Sequence, residues 1–244
     1  MKYLFENKLI EGIIVKRKSQ FTMIVNVNGE ELSCHCPTTG RIGDLETRNI
    51  ACLLSKSNDT NRKTPYTVEA VSADNLDEPN KNWIGINQTL SNRLVEYFFQ
   101  THQLDAIVSD YAEIKREVKL GVSKLDFLVG NTYLEVKTPL TTLQVKYGSD
   151  IKTKPITPFS STERFTKHIK ELTGSLSEHE RAILLTVYQY EITEPKERQR
   201  STHYEEVSAV MGEAIKKGVQ IFEVSMKFEP DGVELISVAE TTGR

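Results

Sequence analysis

The sequence has few of the features that define whole classes of protein. Its three cysteines among 244 residues are too few, and odd in number, for a disulfide framework. There is no long apolar run, and the first residues, Met-Lys-Tyr-Leu-Phe-Glu-Asn-Lys, match neither a signal peptide nor a membrane-spanning helix. We therefore expect a cytoplasmic protein with no membrane partner; the sequence does not determine an oligomeric state.

Motifs of several enzyme classes are also missing. The sequence has no phosphate-binding Gly-x-x-x-x-Gly-Lys loop, no dinucleotide fingerprint, and no serine or cysteine triad that can be assembled. Cys34-His35-Cys36 lacks a second ligand pair, and on a strand His35 would point away from both cysteines, so we expect core cysteines rather than zinc ligands. The net charge of −3 argues against coating nucleic acid through bulk electrostatics.

What is present falls into two halves. Residues 1–72 contain five short segments with strand character separated by turn signals, which favours a small closed β-barrel, with the oligonucleotide-binding (OB) fold as the leading candidate. These strands are predicted at 9–15, 21–27, 31–35, 51–56 and 66–71. The polar segment 72–82 indicates a boundary, so the predicted domains are residues 1–82 and 83–244.

The second half alternates helical and strand patterns. Apolar spacing predicts helices at 88–100, 160–174 and 203–217, and Ser160 with Glu163 has the spacing of a capping box. Strands are predicted at 114–120, 124–129, 133–137, 181–190, 219–228 and 233–238. The fold class is therefore mixed α/β, in which an OB-like barrel precedes an α/β domain of order α-β-β-β-α-β with an α-β-β tail.

One hairpin carries the candidate chemistry. Residues 124–129 and 133–137 alternate in polarity, and Gly130-Asn131 suits a two-residue turn, so that Asp126 is predicted to face Glu135. Carboxylates about 4.5–5.5 Å apart at Cβ share either a proton or a cation. Oxygen ligands at a half-open site suit Mg²⁺ (or Mn²⁺), with Lys137 beside them. The alternative is a solvated face whose acids are neutralised by Lys124 and Lys137.

Candidate contacts to a nucleic-acid backbone lie elsewhere. Residues 137–170 contain seven Lys or Arg and two acidic residues, although basic strips are also common on plain solvated surfaces. In the barrel, Arg17 lies in a Lys-Arg-Lys run near Phe21, and either contacts phosphate or belongs to an ordinary charged turn. Arg62 and Lys63 with Tyr66 form a further candidate. We therefore expect the protein to bind nucleic acid, and we expect DNA in preference to RNA.

Several motifs together resemble one family. They are His35-Cys-Pro-Thr-Thr-Gly40, Asn61-Arg-Lys63 followed by Tyr66-Thr67, Ser123-Lys-Leu-Asp-Phe127, Tyr133-Leu-Glu-Val-Lys137 and Thr162-Glu-Arg-Phe-Thr-Lys-His168. Over nearly the whole length the chain is similar to the sugar fermentation stimulation protein A family. The order of its second half, with Asp and then Glu-x-Lys on the hairpin, resembles the restriction-endonuclease-like core of PD-(D/E)xK nucleases.

The resemblance implies an OB barrel joined to a nuclease-like domain, DNA binding, and a role in regulating sugar (maltose) use. It implies that Asp126 and Glu135 hold the metal and that Lys137 orients or activates the attacking water. It also implies that Arg164, Lys167 and His168 line the substrate from the following helix. Helical spacing places these three on one face with Glu171, which is either a substrate face or a salt-bridged solvent surface.

The sequence also departs from the family pattern. A family glutamate in the first domain helix aligns with Tyr97, whereas the acid here is Glu96, for which an ion pair with Arg93 is the favoured explanation. Glu117 is the alternative third acid of the metal site. A family aspartate after the hairpin is replaced by Phe159.

Three functions are therefore compared. The first is a Mg²⁺-dependent nuclease acting on DNA or RNA. The second is a non-catalytic DNA-binding regulator on a nuclease scaffold, which Tyr97 and Phe159 favour. The third is a regulatory partner protein without affinity for nucleic acid, which is consistent with the acidic net charge.

Overall fold

The computed structural model describes residues 1–38, 40–59, 61–121, 123–159 and 162–243. Ser160, half of the predicted capping box, lies outside the described residues. The strands are β1 (Tyr3–Leu4), β2 (Ile10–Ser19), β3 (Thr22–Val27), β4 (Glu30–His35), β5 (Ala51–Lys56), β6 (Tyr66–Ser72), β7 (Trp83–Gly85), β8 (Ile114–Leu120), β9 (Ser123–Val129), β10 (Thr132–Lys137), β11 (Arg181–Tyr188), β12 (Gln220–Glu229) and β13 (Gly232–Glu240). The helices are α1 (Gln88–Gln100), α2 (Glu163–Gly174) and α3 (Tyr204–Lys216).

Five strands of the first half close into a barrel. β2 pairs with both β3 and β5, β3 with β4, and β5 with β6. The parallel pairing of β4 with β6, at Cys34↔Tyr66 and His35↔Thr67, completes the circle. Closure leaves each of the five strands with a neighbour on both sides, which removes exposed sheet edges. The predicted OB-like barrel is confirmed.

The barrel interior is apolar and contains the cysteines. Cys34, Cys36 and Cys52 are fully buried among residues such as Ile14 and Val25. Burial raises the pKa of the Cys34 thiol to about 11, because the thiolate would lose its hydration. The cysteines therefore serve as small apolar core residues, as their alternation along the strand predicted.

The second half is a mixed sheet with helices on both faces. β8, β9 and β10 are antiparallel neighbours, whereas β10, β11 and β12 run parallel. Helix α1 packs against one face, around Phe98 and Phe127, and α2 packs against the other through Ile169 and Leu172. β11 lies in the middle and is buried after its first residue, as its continuous apolar run predicted. The predicted α-β-β-β-α-β order with its α-β-β tail is confirmed.

Two short strands that the sequence analysis missed join the halves. β7 pairs with β6 of the barrel and with β12 of the second sheet, so hydrogen-bonded strands run continuously from one half to the other. At the same junction β1 pairs with β13. Gly85 is required in β7, because a Cβ there would lie 2.6 Å from Gln189 Cβ and 2.9 Å from Phe228. No helix in the described ranges has the length and apolar character needed to cross a membrane.

The central hairpin departs from the predicted pairing at one place. The pairs Val129↔Thr132, Leu128↔Tyr133 and Phe127↔Leu134 are as predicted, but the next pair, Asp126 with Glu135, does not form. On its other side β9 pairs with β8, and this ladder also skips Asp126. The residue of β8 at the skipped position is Glu117, whose φ is +50°. This positive φ interrupts the pleat. Within β9 itself, Leu125 packs on the α2 side and Phe127 on the α1 side, so the alternation of the strand breaks at Asp126.

Candidate functional site

Asp126 lies where β9 separates from β10. Its Oδ2 accepts a hydrogen bond of 2.8 Å from the backbone nitrogen of Val136, and its Oδ1 accepts one of 2.9 Å from Nδ2 of Asn92. The first bond occupies an amide of β10 that the interrupted ladder leaves without a strand partner. The second ties the carboxylate to helix α1. Asp126 is thus anchored to the backbone of β10 at the residue that follows Glu135, and not by cross-strand pairing.

Glu135 is the most deeply buried acid of the site. It is 1 % exposed, and its side chain faces α2, where His168 Nδ1 lies 2.5 Å from its Oε1. Lys137, two residues along the same strand face, also bonds to Oε1. The second oxygen, Oε2, is buried and has no hydrogen-bond partner among the described residues. A buried carboxylate oxygen without a donor is costly, so this atom marks a place where a cation would be stabilising.

Glu96 and Glu117, the two candidates for a third acid of the metal site, lie in different places. Glu96 shares a helix face with Asn92, one turn away, and its carboxylate lies 3.1 Å from Arg116 of β8. The expected ion pair with Arg93 is therefore wrong: in the described residues Glu96 pairs with Arg116 instead. Glu117 is exposed, and its carboxylate lies 3.8 Å from Lys124. In the described part of the chain, no three His, Cys, Asp or Glu side chains are grouped as they would be around a metal ion.

Tyr97 has a different role from the glutamate with which it aligns in the family. Its hydroxyl donates a hydrogen bond of 2.9 Å to the carbonyl oxygen of Lys2, and its ring packs edge-on against Tyr3. The neighbouring Glu96 therefore lies on the site's side of α1, since consecutive residues are about 100° apart around a helix.

Helix α2 does not present the uniform face that was predicted. Arg164 and Lys167 are exposed, but His168 is 8 % exposed and directed at Glu135. His168 precedes the buried Ile169, at the border of the face that packs on the sheet, and is the one of the three that contacts the carboxylate. The predicted common face is therefore wrong, because His168 contacts Glu135 and the other two lie at the surface. The role of the three residues as substrate contacts stays a prediction.

The four barrel residues predicted to contact nucleic acid differ in their surroundings. The Arg17 guanidinium donates to the carbonyl oxygens of Thr38, Gln20 and Gly40 at 2.5, 3.0 and 2.8 Å, so it orders a loop. Lys63 is exposed, whereas Arg62 and Tyr66 are half-buried.

Asn92 is the site residue that sequence reasoning missed. Its only sequence signal is that it precedes Glu96 by one helical turn, which places both residues on one helix face. The bond to Asp126 follows from how α1 packs on the sheet, which no local pattern encodes.

The donor set suits a divalent cation. Asp126 and Glu135 supply oxygen ligands, one of which is the unpartnered Oε2, and hard cations such as Mg²⁺ and Ca²⁺ prefer oxygen. Lys137 and His168 leave that oxygen free, because both bond to Oε1. The residues present therefore fit such an ion, which Asp126 and Glu135 would hold.

Comparisons with known proteins identify the family. The family model described as "Sugar fermentation stimulation protein RE domain" matches residues 89–232, and the model described as "SfsA N-terminal OB domain" matches residues 15–86. A sugar fermentation stimulation protein homolog of Synechococcus sp. (strain JA-2-3B'a(2-13)) is 30% identical over 98% of this chain and 95% of its own. One from Pseudoalteromonas atlantica is 34% identical over 76% of this chain and 77% of its own.

A solved structure has the same fold. It is that of Pyrococcus furiosus SfsA in complex with Ca²⁺, which aligns with a TM-score of 0.69 and 18% identity over 99% of this chain and 97% of that one. Together with the family models, these similarities show that the chain belongs to the sugar fermentation stimulation protein family.

Proposed function

We propose that this member of the sugar fermentation stimulation protein family binds nucleic acid and hydrolyses its phosphodiester bonds with the help of Mg²⁺ or Mn²⁺. The observation that carries the proposal is the buried, unpartnered Oε2 of Glu135, which shares a strand face with the Lys137 ammonium. The second acid, Asp126, bonds the backbone amide of the next residue, Val136. An acid pair next to a lysine, at the point where two strands separate, is a suitable arrangement for hydrolysing a charged diester.

Each residue has a distinct role in the proposal. Asp126 and Glu135 hold the cation, and the bonds from Asn92 and Val136 fix the orientation of Asp126 before substrate arrives. A bound divalent cation supplies Lewis acidity toward a phosphoryl oxygen. Lys137 has three donors, of which Glu135 takes one, so the others are free to orient a water molecule or a phosphate oxygen. His168 holds the Glu135 side chain from α2.

The metal assignment is supported by the related protein of known structure. Pyrococcus furiosus SfsA was determined in complex with Ca²⁺. Ca²⁺ and Mg²⁺ both take oxygen ligands, and Mg²⁺ keeps several waters, so that one or two carboxylates suffice. A site with two protein carboxylates therefore suits Mg²⁺ as the working ion.

Cleavage of end-labelled single- and double-stranded DNA and RNA tests the proposal. The wild-type protein should cut at least one of these substrates with Mg²⁺ or Mn²⁺ and none in EDTA, and Lys137→Ala should lose this activity. The control is Lys216→Ala, which removes an exposed lysine from α3 and should leave cutting unchanged. Equal cleavage by the Lys137 and Lys216 variants would refute the assigned role of Lys137.

A second function, binding without cleavage, is favoured by one observation. The third acid is not assembled in the described residues, because Arg116 holds Glu96 and Glu117 lies exposed beside Lys124. In that case DNA should be retarded equally by wild type and Lys137→Ala, with no metal-dependent products. The affinity should fall steeply with salt, since counterions are released as phosphates are contacted.

A further inference from the structure

A cationic cavity lies away from the carboxylate cluster. It has a volume of about 250 Å³ and is formed by the end of β2, the loop of residues 41–48 and Lys154. Its floor is apolar, with Ile42 and Leu45 buried beneath it. The volume lies below the range of about 300–1,000 Å³ that is usual for drug-sized ligands, so the cavity suits a small group.

The charge of this cavity is strongly one-sided. Five lining side chains are cationic and one is acidic; the cations are Lys16, Arg17, Arg41, Arg48 and Lys154, and the acid is Glu46. In the described ranges, no ion pair joins any of the five cations to a carboxylate. The nearby Asp44 is occupied elsewhere, since it accepts a hydrogen bond of 2.6 Å from the Tyr147 hydroxyl. The cations are therefore left without internal neutralisation.

Two of the cations are held in place by backbone carbonyls. The terminal nitrogens of Arg17 donate hydrogen bonds to the carbonyl oxygens of residues 20, 38 and 40. Its Nε is buried and has no hydrogen-bond partner among the described residues. Arg41 donates to the carbonyl oxygen of Thr157. A buried guanidinium N–H without an acceptor is costly. An anion in the cavity would also balance the positive charge that these carbonyls hold in its wall.

The remaining wall comes from the second half of the chain. The backbone of residues 152–154 lies along the barrel loop, where Glu46 N donates to Lys152 O at 2.9 Å and Lys154 N donates to Asp44 O at 2.8 Å. Leu45 and Thr153 form the β-bridge between them. Lys154 is thus carried on a backbone that is fixed to the barrel, so the cavity is built jointly by both halves.

We propose that this cavity is a binding site for a phosphate group. Arginine and lysine around a small cavity with an apolar floor match the charge and the acceptor oxygens of a phosphate. The phosphate is either free or carried by a nucleic acid, and the latter case rests on the nucleic-acid binding proposed above. Phosphate binding itself does not depend on Asp126 or Glu135.

Titration with inorganic phosphate in EDTA tests the proposal without involving a metal. Binding is followed by calorimetry and by the rise in unfolding temperature. The double variant Arg48→Gln/Lys154→Gln should bind phosphate roughly tenfold or more weakly, as expected for the loss of charged hydrogen bonds. Lys216→Gln, an exposed lysine on α3, is the control and should bind like wild type. Both cavity positions are exposed, so folding should be preserved. If wild type and double variant bind phosphate equally, or if neither binds it, the proposal is refuted.

Short oligonucleotides with and without a 5′-phosphate distinguish the two sources of the group. Weaker binding of the 5′-phosphorylated strand alone by the double variant identifies a terminal phosphate, and equally weakened binding of both strands identifies the backbone. Unchanged oligonucleotide binding with weakened inorganic phosphate binding identifies a small phosphate ligand. The metal-dependent cleavage test is separate, so failure of the nuclease proposal would leave this result standing.

Discussion

A divalent cation should stabilise the wild-type protein against unfolding, and Glu135→Gln should abolish most of that stabilisation. The physical reason is the buried Oε2 of Glu135, which has no donor among the described residues. An unsatisfied buried acceptor costs about 1–3 kcal/mol, and more when it is charged. The amide of glutamine is neutral, so the substitution removes the charge that attracts the ion.

The size of the effect follows from binding linkage. An ion that binds only the folded state adds about 2.7 kcal/mol of stability at a hundred times its Kd. For a protein of this length, 1 kcal/mol shifts the midpoint of thermal unfolding by about 2–4 °C, so we expect a rise of roughly 5–11 °C.

Thermal unfolding in Ca²⁺, Mg²⁺ or EDTA is the assay. Glu31→Gln, which removes an exposed barrel acid, is the control and should keep the whole shift. Glu96→Gln and Glu117→Gln identify the third acid, since only a true ligand should weaken the shift. A full shift in Glu135→Gln would refute the role of this carboxylate, and no shift in wild type would refute the cation site.

Three further predictions concern other contacts. Asn92→Ala should lower the free energy of unfolding by about 1–2 kcal/mol in urea, because the Asp126 carboxylate loses a donor at 2.9 Å; an unchanged value would contradict this. The hydrogen bond from Lys2 holds the pKa of Glu229 below its usual value, so its stabilisation is present above the unfolded pKa of about 4 and is lost as pH falls through the folded one. Lys2→Met should therefore make the urea midpoint less sensitive to pH between about 5 and 3, and an identical pH profile would be evidence against the pairing. Burial raises the pKa of Cys34 to about 11, leaving roughly one thiolate in a thousand at pH 8, so a disulfide reagent should modify it only after unfolding, as mass spectrometry would show.

Local patterns were sufficient to predict the longer elements. The helix at 88–100 and the strand at 114–120 have the predicted bounds, because apolar spacing over seven or more residues distinguishes the two periods. β1 and β7 were missed because strands of two and three residues have no measurable period. Their pairing with β13, and with β6 and β12, is decided by tertiary contacts.

The position of the candidate residues on the hairpin was predicted, but their geometry was not, and their roles stay predictions. Asp126, Glu135 and Lys137 lie where two strands meet, as the hairpin pattern indicated. In place of the predicted cross-strand pair, the Asp126 carboxylate bonds the backbone amide of Val136, and the regular alternation of residues 124–129 does not signal this change. The contact of His168 with Glu135 depends on the angle at which α2 packs, and helical periodicity cannot supply that angle.

The pairing of β1 with β13 has a consequence for how the protein is made. Tyr3 and Val233 are ladder partners, so β1 can complete its pairing only after a segment that is synthesised 230 residues later (233 − 3). At about 5–20 residues per second, that interval is on the order of ten to fifty seconds. The barrel strands β2 to β6 all lie between Ile10 and Ser72, so they can close during this time. In the nascent chain the segment Tyr3–Leu4 should therefore remain an open strand beside a finished barrel, and its docking should be a late step of folding.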